Sequence, residues 1–278
     1  MPTFSERLAD AQIRTGSSLC VGLDPDLDRL PPHLLASRTP EAAVEHFCRQ
    51  VIEATAGSAC AFKFNFAFFE RLGDAGMGVM RRVLGATPGE ALTIADAKRG
   101  DIGNSARFYA GSALTDLGFD SVTVSPYMGR DSVEPFLEDA RKAAFLLVRT
   151  SNPGRADLQD LVVEGRPLYE AVARRALGWG QPGGGQLGFV VGASDIAALE
   201  RLRAIAPTTP FLIPGVGAQG GSPEQVMAAS GRSPGLTLVN SSRAICYASS
   251  GADFAAAAGR AAALAAASLS LQTSTVHG

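Results

Sequence analysis

The chain has 278 residues, 46% of them hydrophobic, and a formal net charge of −2. That balance argues against nucleic acid or an anionic membrane as partner, and no apolar stretch is long enough to span a bilayer. Cys20, Cys48, Cys60 and Cys246 show neither CxxC spacing nor a disulfide framework and read as reduced thiols; with no charged-then-apolar signal pattern over residues 1–7, a cytoplasmic protein is expected.

A helix is predicted over Phe4–Thr15. Eight short β-type runs follow, at residues 18–23, 61–66, 92–95, 121–125, 144–149, 187–192, 211–215 and 236–240. Between them lie stretches with apolar residues near helical spacing, among them Pro40–Thr55, residues 74–85, 132–142 and 195–206, and Pro223–Ser230. An alanine-dense stretch at 252–271 supplies the eighth helix, and the polar residues 272–278 read as a frayed end. Alternating β and α segments predict an α/β fold with parallel strands. Eight repeats predict a closed (β/α)8 TIM barrel, one domain over 1–278, with the extra N-terminal helix covering its bottom. The competing architecture, an open doubly wound sheet, would carry G-x-G-x-x-G after the first strand, and none is there. The glycines of residues 178–185, in an over-long connection between the fifth and sixth runs, read as a connector.

Barrels of this kind build their active sites at the C-terminal strand ends. The first run ends in Leu23-Asp24-Pro25-Asp26, and the second carries Lys63 and Asn65 on one face. The third gives Asp96 and Lys98, which leave a strand end side by side at i and i+2, with Asp101 in the following turn. The fifth ends in Arg149-Thr150-Ser151-Asn152-Pro153-Gly154, the seventh in Pro214-Gly215-Val216-Gly217-Ala218-Gln219-Gly220-Gly221, the eighth in Asn240-Ser241-Ser242-Arg243. Singly, each has a plain structural reading: a strand-end ion pair, a turn starter, a β-turn, a surface cation. Their shared placement at one end of the barrel argues for a site. A carboxylate beside an ammonium favours the charged form of both groups, so Lys98 would be a poor nucleophile but a good cation and proton donor. The glycines after the seventh run would let backbone N–H groups approach an anion, and Arg243 offers a planar fork for phosphate oxygens. A small phosphate ester is the expected ligand. His33, His46 and His277 adjoin none of these acids, so the chemistry is expected to run on Asp, Lys and Arg without a metal centre.

Six motifs in this order resemble the orotidine 5′-phosphate decarboxylase family, in its longer bacterial branch. They are Val21-Gly22-Leu23-Asp24-Pro25, Phe62-Lys63-Phe64-Asn65, Asp96-Ala97-Lys98-Arg99-Gly100-Asp101-Ile102-Gly103, Ser151-Asn152-Pro153-Gly154, the Pro214-to-Gly221 loop and Asn240-Ser241-Ser242-Arg243. The resemblance runs from Phe4 to about the last helix. It implies decarboxylation of orotidine 5′-phosphate to uridine 5′-phosphate, the last step of UMP synthesis, with no cofactor. By it, Lys98 protonates C6, Asp96 faces the departing carboxylate, and Asp24 and Lys63 bond the ribose hydroxyls. Ser151 bonds the pyrimidine, Pro214 and Ser242 line the nucleotide, and Gln219 and Arg243 hold its phosphate. Asp101 crosses to the partner's site in a homodimer. The stretch from Ala156 to Gly185 has no counterpart in shorter members and is assigned no chemistry.

Three alternatives stay open on the residues alone. A sugar-phosphate decarboxylase or aldolase on the same barrel shares D-x-K-x-x-D and uses Mg²⁺. A Schiff-base aldolase would need a lysine with a depressed pKa, against the influence of two flanking aspartates. A silent phosphate-binding barrel would keep the binding residues without turnover.

Overall fold

The buried β-type runs become eight parallel strands: β1 (Leu19–Leu23), β2 (Ala61–Asn65), β3 (Leu92–Arg99), β4 (Ser121–Val124), β5 (Ala143–Arg149), β6 (Gln186–Val191), β7 (Phe211–Pro214) and β8 (Thr237–Ser241). The structure, a computed structural model, describes residues 1–180, 183–216 and 221–271. Each strand pairs with its chain neighbours, and β1 closes the ring on β8, Leu19 opposite Val239. β1 and β4 are buried at every position, as expected for strands covered by helices outside and by packed side chains within. Gly188 of β6 makes room inside, since a Cβ there would come 2.5 Å from the Phe145 ring.

The predicted first helix forms over Phe4–Thr15, held at its start by a capping box between Thr3 and Glu6. Its apolar face closes the bottom of the barrel. Phe4, Leu8 and Ala11 pack with Cys20, Cys60, Leu92, Phe145 and Leu238, and the Phe4 and Phe145 rings meet edge to face at 6.0 Å. Arg7 bonds Asp120 at 2.7 Å, and Asp120 in turn accepts from the backbone N–H and hydroxyl of Thr93. The bottom is thereby sealed by packing and one ion pair, and the opposite end is left for chemistry.

Three expectations about elements need correction. Residues 132–142 do not form a helix. They make short 3-10 turns, Arg130–Ser132 and Glu134–Leu137. Pro135 disfavours a continuous helix, and the Asp139 carboxylate captures the Arg141 N–H at 2.9 Å instead. The predicted 74–85 helix divides into a 3-10 turn at Gly73–Ala75 and an α-helix at Gly76–Leu84. β3 runs four residues beyond the predicted end, to Arg99, with a register shift between Ala95 and Arg99.

Two longer helices went unread, Gly103–Ala110, which continues as a π-turn over Gly111–Asp116, and Leu168–Ala176 in the long connection after β5, as did the short helices Pro32–Ser37, Phe66–Glu70 and Arg243–Cys246. The other helices that cover the barrel, including Pro40–Thr55, Ile196–Ile205, Pro223–Ser230 and Phe254–Ser268, stand within the predicted stretches. Among the described residues, no helix is long and apolar enough to cross a membrane.

Candidate active site

The C-terminal strand ends surround a cavity of about 780 Å³. Asp24, Lys63, Asp96, Lys98, Ser151, Pro214, Ser242 and Arg243 all line it, contributed from β1, β2, β3, β5, β7 and β8 or the residues just after them. Gln219 lies outside the described residues. Asp101 is not part of the lining; its carboxylate accepts from the Ile102 N–H at 2.8 Å, at the start of the next helix.

Asp96 is the hinge of the charged array. One carboxylate oxygen takes Lys63 Nζ at 2.8 Å and the other takes Lys98 Nζ at 2.6 Å. The strand register makes the first pair, because Asn65 lies opposite Asp96 and places Lys63 within reach. The second pair comes from a break in the pleat. Lys98 has φ +47°, a left-handed conformation that is costly for a side chain of this size. Its N–H donates to Thr123 Oγ1 at 2.9 Å, and that hydroxyl donates on to Asp96 at 3.1 Å. Thr123 therefore holds both the bent backbone and the carboxylate.

The two lysines differ in surroundings. The Lys63 side chain is 5% exposed and that of Lys98 53%. Burial alone would push the Lys63 ammonium down, but the charges of Asp24 and Asp96 and the hydrogen bond to Asp96 hold it above its ordinary value. Burial would raise Asp96, yet Lys63 and Lys98 outweigh it and bring its pKa down from 3.8 to about 2. The acid is therefore ionised throughout the neutral range. Asp24 stands 3.8 Å from Lys63, and its Oδ1 is buried with no hydrogen-bond partner. A buried acceptor without a donor is costly. A ligand hydroxyl would satisfy it.

The rest of the cavity is graded in polarity. Leu147, Val190 and Leu212 form an apolar floor, while Thr150, Ser151 and Asn152 line one side and Ser242 and Arg243 another. Gly22 permits Ser242 its position: a Cβ there would lie 1.9 Å from Ser242 Oγ and 2.8 Å from Asn240 Oδ1. A flat ring against apolar side chains, hydroxyls near the Asp24–Lys63 pair and an anion near Arg243 would match these walls.

The family model described as "Orotidine 5'-phosphate decarboxylase / HUMPS family" matches residues 17–258. The chain belongs to this family. A curated orotidine 5′-phosphate decarboxylase from Herpetosiphon aurantiacus is 44% identical over 260 residues, covering 92% of this chain and 93% of that protein. One from Variovorax paradoxus is 49% identical over 270 residues, covering 94% and 95%. The solved structure of Leishmania donovani OMP decarboxylase aligns with a TM-score of 0.80 at 41% identity, covering 96% of this chain and 98% of that one. Both the family resemblance and the barrel expected from sequence stand.

Within this orotidine 5′-phosphate decarboxylase family barrel, Thr123 and Arg29, which line the cavity, and Tyr247 behind it went unread in the sequence. Thr123 had a signal: Ser121 and Thr123 alternate with valines on a buried strand, so both point to one face. Tyr247 had none. Its hydroxyl donates to the Asp24 carbonyl and accepts the Asp26 N–H, both at 2.7 Å, across more than two hundred residues of chain. Its ring stacks on Phe47 and carries Arg29, whose Cζ lies 4.2 Å from the centroid.

Proposed function

We propose that Lys98 is the proton donor of an enzyme that decarboxylates orotidine 5′-phosphate to uridine 5′-phosphate. The observation that carries this reading is the Lys63–Asp96–Lys98 array at the cavity wall, with an unpartnered Asp24 oxygen beside it. Cleavage of the bond between C6 and the carboxylate releases CO₂ and leaves an electron pair in the plane of the pyrimidine. That pair cannot spread into the π-system, so fixed positive charge must stabilise it. Lys98, already oriented by Asp96, supplies the charge and then passes a proton to C6. Its neutral amine regains a proton from solvent. Preorganised donors aimed at developing charge contribute about 3–4 kcal/mol each. Asp96, held ionised, faces the substrate carboxylate; its repulsion eases as CO₂ leaves.

The remaining residues bind. Asp24 and Lys63 take the ribose hydroxyls, Ser151 takes the pyrimidine edge, Pro214 and Ser242 line the nucleotide, and Arg243 with Gln219 holds the phosphate. Phosphate binding far from C6 supplies energy that can be used to fix the reacting ring. Asp101 completes the site of a second copy in a homodimer. Support comes from its position outside its own chain's cavity, and from exposed apolar side chains on the segments that follow β3 and β4. Ile102, Phe108 and Tyr127 are 56%, 70% and 83% exposed, a surface that a second copy would cover.

The test is turnover of orotidine 5′-phosphate by purified protein in the presence of EDTA, followed by loss of its absorbance. Undiminished turnover is expected. Turnover of a keto sugar phosphate that stops on chelation, with none of the nucleotide, would favour the sugar-phosphate alternative.

A further inference from the structure

We propose that the segment between β5 and β6 is a positioning device for the base-binding end of the pocket, acting through Gln159 and Arg149. This rests on the reading of Ser151 as the pyrimidine contact. The segment comprises a 3-10 turn at Pro153–Asp157, a two-stranded ribbon of Val162–Val163 with Arg166–Pro167, and the helix Leu168–Ala176.

Gln159 grips Thr150 twice. Its Oε1 accepts the Thr150 N–H at 3.0 Å, and its Nε2 donates to Thr150 Oγ1 at 2.8 Å. The Thr150 hydroxyl donates on to Asn152 Oδ1 at 2.7 Å. The two residues that flank Ser151 are thus tied to each other and to the segment. On the other side Gly192 closes in; a Cβ there would sit 3.1 Å from both the Cβ and N of Ser151. Ser151 is held between a hydrogen-bonded clamp and a packed backbone.

Arg149 anchors the clamp to the barrel. Its guanidinium, 6% exposed, bonds Asp160 at 2.5 Å and Asp195 at 2.8 Å, with the Tyr169 ring centroid 4.7 Å from Cζ. Asp160 follows Gln159, Tyr169 lies in the segment's helix, and Asp195 caps the helix after β6 by accepting the Ala198 N–H at 3.0 Å. One side chain thereby joins both connections that flank the base end. Buried ion pairs contribute little net stability against apolar replacements. What this one supplies is a single arrangement of the 150–152 turn.

The full-length Gln159→Met variant tests this by separating the two ends of the ligand. KM for orotidine 5′-phosphate and Kd for UMP are expected to rise roughly three- to tenfold, as for loss of two ordinary hydrogen bonds. The inhibition constant of ribose 5-phosphate, which lacks the base, is expected to stay at the wild-type value. Arg149→Lys, which keeps the charge without the fork, should give the same pattern. Equal losses for all three ligands, or unchanged KM with only a lowered Tm, would make the segment mere packing and overturn the proposal. If wild type itself fails to decarboxylate orotidine 5′-phosphate, the functional reading falls first and this inference with it. If wild type turns over and Gln159→Met matches it, the inference alone falls.

Discussion

Asp96 holds two ammonium groups on one carboxylate, and that makes its charge a stability term whatever its part in the proposed chemistry. Its pKa is depressed from 3.8 to about 2, so its contribution is present above 3.8 and is lost as pH falls through about 2. The shift corresponds to roughly 2 kcal/mol. In urea titrations the advantage of wild type over Asp96→Asn is therefore expected to be full at pH 5 and to shrink steadily toward pH 2. A difference that grows on acidification would contradict the array. Lys63 has the opposite sign: held above its ordinary 10.5, it contributes below that value and loses its contribution only in stronger alkali. The Asp96–Lys98 pair was legible from the sequence, but for a reason that proved incomplete. Alternation would set i and i+2 together, whereas here a left-handed Lys98 and the Thr123 hydroxyl bring them together. No local pattern announces a positive φ at a lysine.

The approach of β1 to β8 makes Gly22 a demanding position in the cavity wall that carries Ser242. Ala at this site would drive Ser242 away, destabilise the protein by about 1–3 kcal/mol as overpacking does, and raise KM for the nucleotide more than it lowers kcat. Steady-state kinetics with a chemical melt would show it; an unchanged KM would mean that Ser242 and its neighbours bind nothing. All eight barrel strands could be read from buried β-type runs, because a strand covered on both faces needs an apolar sequence whatever surrounds it; the half-exposed ribbon of Val162–Val163 with Arg166–Pro167 could not. The 132–142 error has an equally local cause, Pro135, which the apolar spacing of Val133, Phe136 and Leu137 masked. The helix at Gly103–Ala110 escaped because Phe108 and Tyr109 point outward, which blurs the helical period. The clamp on Ser151 was invisible for another reason: Arg149, Gln159, Asp160 and Asp195 meet only once β5 and β6 are neighbours.

The whole molecule pairs a sealed bottom with a charged top, and one chain leaves Asp101 outside its own cavity. Mixing Lys98→Ala and Asp101→Ala chains tests whether sites are shared. Each variant alone should be nearly inactive, and randomly exchanged dimers should recover about a quarter of wild-type activity, since half are hybrids with one intact site of two. No recovery despite hybrid formation would place Asp101 in its own chain's chemistry. The barrel and the residues around its mouth were readable because topology brings strand ends together; the expectation of a dimer came only through family resemblance, since a surface patch has no sequence period. The central claim, that Lys98 performs the chemistry rather than the binding, is tested most directly by comparing wild type with Lys98→Ala in single-turnover decarboxylation of orotidine 5′-phosphate and in UMP binding. The expected result is a loss of rate of at least about a thousandfold, with UMP affinity close to wild type. Decarboxylation at a near-normal rate by a folded Lys98→Ala protein would contradict it.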